Sequence, residues 1–99
     1  MRVRYTPAAL LDLEEIRNYY EYDLENPDAS RRILTGLARS VALLKDNPFM
    51  GMELRKKTGR EVPGRCLISG RYVIVYDVDE TISVLRILDA RVDYMRVLF

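Results

Sequence analysis

The chain contains no histidine, so any chemistry near neutral pH must use arginine, lysine, tyrosine or carboxylate side chains. Two of these, Arg91 and Tyr94, lie three residues apart just after an apolar run. A nucleic-acid-binding protein would use such a pair to hold a phosphate group and to stack on a base. The alternative is a C-terminal helical turn that packs Tyr94, Val97 and Leu98 on a sheet. The spacing leaves both interpretations open.

Basic side chains are concentrated between the two halves of the chain, at Arg55, Lys56, Lys57, Arg60 and Arg65. They could neutralise phosphates, or the carboxylates of an acidic partner. A solvated loop can have the same composition, so the run itself favours neither interpretation.

Arg86 interrupts the apolar run 84–88. An unpaired charge inside a covered strand is costly, so this arginine must meet an acid or open onto a groove, and we favour an ion pair. Three nearby tyrosines differ in their helical spacing. Tyr20 continues an apolar stripe, whereas Tyr19 and Tyr22 lie off it and are candidates for a contact surface.

The composition predicts a single domain of 99 residues, with 48% hydrophobic and 31% charged residues and a net charge of +1. Nucleic-acid-binding proteins usually carry a clear basic excess. Cys66 is the only cysteine, which excludes an intrachain disulfide and, without histidine, a Cys/His metal site. No signal-peptide core follows Met1, and no apolar run approaches the ~20 residues that span a bilayer. We therefore expect a cytoplasmic protein with no membrane partner and no cofactor.

The charges are unevenly distributed along the chain. Residues 7–30 carry seven acidic side chains against Arg17, and residues 55–71 carry six basic side chains against Glu61. This asymmetry predicts an acidic helical end and a basic sheet end.

Two helices are predicted in the first half, after a short strand at residues 2–5. Thr6 and Pro7 form a cap followed by a proline at the first helical position, and Asn26 and Pro27 repeat that pattern. Apolar stripes at spacings of three and four follow each start: Leu10, Leu13, Ile16, Tyr20 and Leu24, then Ile33, Leu37, Val41 and Leu44, widened by Leu34 and Ala38. A tight turn between them predicts an antiparallel helical hairpin.

Three strands are predicted in the second half, at residues 65–69, 71–78 and 81–88, separated by turn residues. The last is apolar on both faces apart from Arg86, so we expect a central strand. The order β-α-α-β-β-β predicts an α+β domain in which the helical hairpin packs on a small, largely antiparallel sheet, followed by a short C-terminal tail or helical turn.

In this order and spacing the chain resembles the toxin subunits of the RelE/ParE type II toxin–antitoxin family. The resemblance covers essentially the whole of residues 1–99. It rests on the opening strand into Pro7, on LLKDNPFMG at 43–51, on REVPGR at 60–65, and above all on GRYVIVYDVDETISVLRILDARVDY at 70–94.

The resemblance implies one of two activities. RelE-like members are ribosome-dependent endoribonucleases that cut mRNA, and their residues would correspond here to Arg91, Tyr94, Lys56, Lys57 and Arg71. Valine occupies positions 73 and 97, where that set expects an arginine and an aromatic residue, and aspartate occupies position 89, where many relatives have histidine. ParE-like members instead inhibit DNA gyrase by binding it. The incomplete nuclease set, the long helical hairpin and the near-neutral charge favour the ParE-like branch.

The resemblance also implies a protein partner, a cognate antitoxin whose acidic, amphipathic segment covers the sheet and its basic surface. In the favoured, ParE-like interpretation the target is DNA gyrase. In the RelE-like alternative the target is the ribosome with its mRNA. The residues predicted to bind antitoxin or target are Arg55, Lys57, Arg60, Arg65, Arg86, Arg91, Tyr94 and Arg96.

Overall fold

A computed structural model describes residues 1–59 and 63–91 of the chain. Its elements, in chain order, are β1 (Val3–Tyr5), α1 (Pro7–Asn18), a π-helical turn (Tyr19–Asp23), α2 (Pro27–Asp46), β2 (Met52–Glu53), α3 (Leu54–Thr58), β3 (Arg65–Ser69), β4 (Tyr72–Val78) and β5 (Ile82–Asp89). The α+β class and the predicted order β-α-α-β-β-β are confirmed, whereas the predicted C-terminal tail or helical turn lies outside the described residues. The sequence interpretation missed β2, α3 and the π-helical turn.

Both helix starts follow the predicted capping chemistry. Thr6 Oγ1 accepts a hydrogen bond from the Ala9 backbone N–H at 3.2 Å, and Asn26 Oδ1 accepts one from the Ala29 N–H at 3.1 Å. In each case a proline occupies the first turn, where its missing N–H leaves no helical hydrogen bond unmade. None of the helices in the described ranges is long and apolar enough to cross a membrane.

The sheet has five strands in the order β1-β5-β4-β3-β2. β1 runs parallel to β5, with Val3 opposite Ile82, and the other neighbouring pairs are antiparallel. β5 therefore lies between β1 and β4, which confirms the prediction of an interior strand. β2 is two residues long and pairs only with residues 65–66 of β3.

The main core lies between the helical hairpin and one face of the sheet. In β4 alternate residues face the helices, and in β5 the alternation is interrupted after Val84 by a register shift opposite Val75 and Tyr76. The helix-facing residues are Tyr72, Ile74, Tyr76, Ile82, Val84 and Ile87. They pack against Ile16, Tyr20, Leu37, Val41 and Leu44 from the helices. The opposite face carries a smaller cluster of Leu54, Cys66, Val73 and Val75, so β4 is buried on both sides.

The buried stripe of α1 differs from the predicted one. Leu10 of α1 is 54% exposed, and Leu24, which follows the π-helical turn, is 49% exposed, whereas Asp12 is buried at 7%. The helix turns this acid inward because Arg86 of β5 lies opposite it. In α2 the predicted stripe is correct for Leu37, Val41 and Leu44, but Ala38 is exposed.

Candidate functional site

The register of β3 and β4 separates the basic side chains into two groups. Arg65 pairs with Tyr76 at one end of this hairpin, and Ser69 pairs with Tyr72 at the other, next to Arg71. Four residues of strand rise about 13 Å. We call these the Arg65 end and the Arg71 end of the sheet, and each is organised around one carboxylate.

At the Arg65 end the carboxylate is Glu53 of β2. Arg55 Nε donates to it at 2.9 Å and Arg65 Nη2 at 3.4 Å. The hydrogen bond from Arg55 is the main reason why the pKa of Glu53 is lowered. Arg65 also donates to the carbonyl oxygens of Phe49 and Gly51 at 3.2 and 2.9 Å, and its guanidinium lies 4.9 Å from the centre of the Phe49 ring. Arg65 therefore holds the loop in place, whereas the Arg55 side chain is 59% exposed and available to a partner.

The loop before β2 is further held by Tyr76. Its hydroxyl donates to the Pro48 carbonyl oxygen and accepts from the Gly51 N–H, both at 2.9 Å. Burial raises the pKa of this phenol, so it stays protonated and keeps both contacts. The loop is thus anchored in the core while the Phe49 side chain remains 63% exposed.

Exposed apolar side chains accompany the exposed arginine along this edge of the sheet. We define the edge surface as Phe49, Met50, Met52, Arg55 and Ile68. Met52 and Ile68 are 56% and 61% exposed. Met52 pairs with Cys66, two residues from Ile68, so both point to the face away from the helical hairpin. In the described part of the chain residues 67–69 of β3 have no strand on their outer side.

At the Arg71 end the carboxylate is Asp89. Arg91 approaches it in a bidentate manner, with Nε at 3.1 Å and Nη2 at 2.9 Å, and its backbone N–H donates at 2.9 Å. Arg71 Nη2 donates to the same carboxylate at 3.3 Å and Nη1 to the Tyr20 hydroxyl at 3.2 Å. Tyr72 completes the group, with its hydroxyl 3.4 Å from that of Tyr20. Burial, reinforced by this contact, raises the pKa of Tyr72, so its phenol is neutral at physiological pH.

Arg86 forms the ion pair that the sequence predicted. Its Nε and Nη2 donate to Asp12 at 2.8 and 3.0 Å, and Asp12 also accepts from the Ile87 backbone N–H at 2.9 Å. The hydrogen bond to Asp12 raises the pKa of Arg86, so the charge is permanent. The pair ties α1 to β5, and its guanidinium is engaged within the molecule. Sequence reasoning did not identify Asp12, although its position three residues after Ala9 and four before Ile16 places it on the buried stripe.

The described members of the predicted nuclease set do not converge. Lys56 is exposed on α3, which follows β2 at the Arg65 end, whereas Arg71 and Arg91 share Asp89 at the Arg71 end. Val73, where that set expects an arginine, is 1% exposed. The predicted residues Arg60, Tyr94 and Arg96 and the side chain of Lys57 lie outside the described part of the chain.

Comparisons with known proteins agree with one another. Residues 3–94 match the family model described as the ParE toxin of the parDE type II toxin–antitoxin system. The chain is 32% identical over 97 residues to the protein named "Putative toxin Y4kP" of Sinorhizobium fredii (strain NBRC 101917 / NGR234), covering 98% of this chain and 96% of that protein. A solved structure titled "Chromosomal ParDE TA system from P. aeruginosa" superposes with a TM-score of 0.73 at 25% identity, covering 90% of this chain and 95% of the other.

Proposed function

Because this chain belongs to the ParE toxin family of type II toxin–antitoxin systems, we propose that it inhibits DNA gyrase by binding it and is neutralised by a cognate antitoxin. The observation that carries the proposal is the match of the ParE family model to residues 3–94. The separation of Lys56 from Arg71 and Arg91 supports it, because phosphodiester cleavage requires the stabilising groups to surround one phosphate.

Inhibition of gyrase is tested directly with purified proteins. We expect the chain to abolish supercoiling of relaxed plasmid by gyrase and to cause cleaved gyrase–DNA complexes to accumulate. Prior mixing with the cognate antitoxin should restore supercoiling. Unchanged supercoiling with no cleaved complexes, at toxin concentrations that arrest growth, would contradict the proposal.

The antitoxin surface that we propose is the edge surface. It combines exposed apolar side chains with Arg55, and it lies beside backbone groups of β3 that have no strand partner among the described residues. An extended segment could add to such an edge through main-chain hydrogen bonds, with alternate side chains contacting Met52 and Ile68. Acidic residues in the same segment would meet Arg55, so an acidic, amphipathic antitoxin segment fits this surface.

A second candidate is ribosome-dependent cleavage of mRNA, favoured by the position of Arg91 just after the last strand. Its side chain is 71% exposed, so a phosphate could reach it. In this case expression of the chain without antitoxin would deplete mRNA without a DNA damage response, and Arg91→Ala would abolish the depletion. Intact transcripts during growth arrest would rule it out.

A further inference from the structure

A cleft opens at the Arg71 end, on the side where α1 meets β4 and β5. Its volume is about 430 Å³, which falls within the range of ligand pockets in proteins. Apolar side chains of α1 and β5, among them Ile16 and Leu88, line it beside polar groups. Tyr19 lies on its wall and is 41% exposed, and its ring lies edge-on to that of Tyr20 with ring centres 5.2 Å apart.

The arginines that line the cleft differ in the length of their hydrogen bonds to protein acceptors. Arg86 is paired with Asp12, and Arg91 is paired with Asp89. Arg71 is left with two long hydrogen bonds, at 3.2 and 3.3 Å. Its Nε is buried and has no hydrogen-bond partner among the described residues. A guanidinium has five N–H donors, so Arg71 is the cation of this cleft with most capacity to receive an anion.

Asp89 would keep its hydrogen bonds to Arg91 if Arg71 moved away. It already accepts the backbone N–H and two guanidinium N–H groups of Arg91. Rotation of Arg71 toward an incoming anion would therefore leave no carboxylate unpaired. The new charge-assisted bonds would be shorter than the two that Arg71 gives up.

We propose that this cleft binds a carboxylate side chain of a peptide partner, and that Arg71 is the residue that receives it. Arg71 and Arg91 share the single carboxylate of Asp89, so one further negative charge would balance this end of the cleft. The remaining acid, Glu15, is exposed and screened by water. Apolar walls suit the residues that flank an acidic side chain in an amphipathic peptide. The assignment of this peptide to the antitoxin rests on the function proposed above. The affinity of the cleft for a carboxylate is independent of that function.

The test titrates the full ¹⁵N-labelled chain with two synthetic tripeptides, acetyl-Leu-Glu-Leu-amide and acetyl-Leu-Gln-Leu-amide. Binding is measured by NMR from the changes in the backbone amide chemical shifts of the chain. The glutamate peptide should shift the resonances of Tyr19, Arg71 and Asp89. The glutamine peptide should bind about tenfold more weakly, since it lacks a charge-assisted hydrogen bond. Arg71→Gln should remove the difference between the peptides, and Arg71→Lys, which keeps the charge, should retain part of it.

Arg31→Gln is the matched control. It removes the same charge from an exposed pair with Asp28 on α2 and should leave peptide binding unchanged. Equal affinities for the two peptides, shifts confined to other surfaces, or full binding by a folded Arg71→Gln variant would overturn the proposal. Tighter binding of the dinucleotide dTpdT at the same residues would assign the cleft to a phosphodiester and also overturn it. Because no gyrase is present, the result is independent of the gyrase assay.

Discussion

Asp12→Ala should be the most destabilising single substitution of a charged residue in the described part of the chain. The change removes the acceptor of three hydrogen bonds, from Arg86 Nε, Arg86 Nη2 and the Ile87 N–H, at 2.8, 3.0 and 2.9 Å. Removing one partner of a buried ion pair costs about 3–5 kcal/mol. The Arg86 side chain is 31% exposed and can be hydrated after the change, so we reduce the expected loss to about 2–4 kcal/mol.

The assay is equilibrium unfolding in urea. Since the free energy of unfolding falls by about 1–3 kcal/mol per molar urea, the midpoint should fall by about 0.7–4 M. Asp28→Ala is the matched control, because Asp28 forms a 3.3 Å pair with Arg31 in which the two side chains are 80% and 75% exposed. Exposed pairs contribute less than about 1 kcal/mol, so that variant should unfold close to the wild-type midpoint.

A double-mutant cycle separates the pair from the rest of the site. Arg86→Met in the Asp12→Ala background removes the unpaired charge, so the double variant should be more stable than the sum of the single losses predicts, by about 1–2 kcal/mol. Equal losses for Asp12→Ala and Asp28→Ala, or strict additivity in the cycle, would refute the assignment of Asp12 as the anchor between α1 and β5.

Three further predictions follow from particular contacts. Because burial raises the pKa of Tyr72, the folded state retains a proton that the unfolded state loses above about pH 10. The free energy of unfolding should therefore be constant below that pH and fall above it. Urea midpoints measured from about pH 8 to about pH 11 test this, and midpoints that do not change with pH would contradict it. Gly51→Ala should lower the free energy of unfolding by about 1–3 kcal/mol, because the added Cβ would lie 2.5 Å from the buried Tyr76 hydroxyl. Gly36→Ala, in open space on α2, should instead raise it by about 0.5–1 kcal/mol. The same urea experiment distinguishes the two variants. Ile68→Glu should weaken antitoxin binding at least about tenfold in a titration, because it places a negative charge that repels the acidic segment on the proposed edge surface. The control Leu43→Glu, at a 53% exposed position on α2, should not weaken it. Equal affinities of the two variants would assign the antitoxin to another surface.

The local features of the fold were accessible from sequence because short-range spacing encodes them. Cap-and-proline pairs located both helix starts, and turn residues separated the strands of the β3–β4–β5 meander. The spacing also distinguished buried Tyr20 from exposed Tyr19 and Tyr22. Errors arose where a polar residue occupied a buried face, since a search for apolar stripes passes over Asp12 and selects Leu10 instead.

Arg86 shows most clearly what the sequence by itself determined. Its position inside an apolar strand was sufficient to require a partner, because an isolated charge there is costly to bury. The identity of that partner was decided by tertiary structure: Asp12 is 74 residues away, and only the packing of α1 on β5 brings the two together. The same holds for the basic residues. Sequence established their number and order, and the short turn between β3 and β4 places Arg65 and Arg71 at opposite ends of that hairpin. The carboxylate at each end was decided by tertiary structure, because Glu53 comes from β2 and Asp89 from β5, and the pairing of these strands is not contained in the spacing of neighbouring residues.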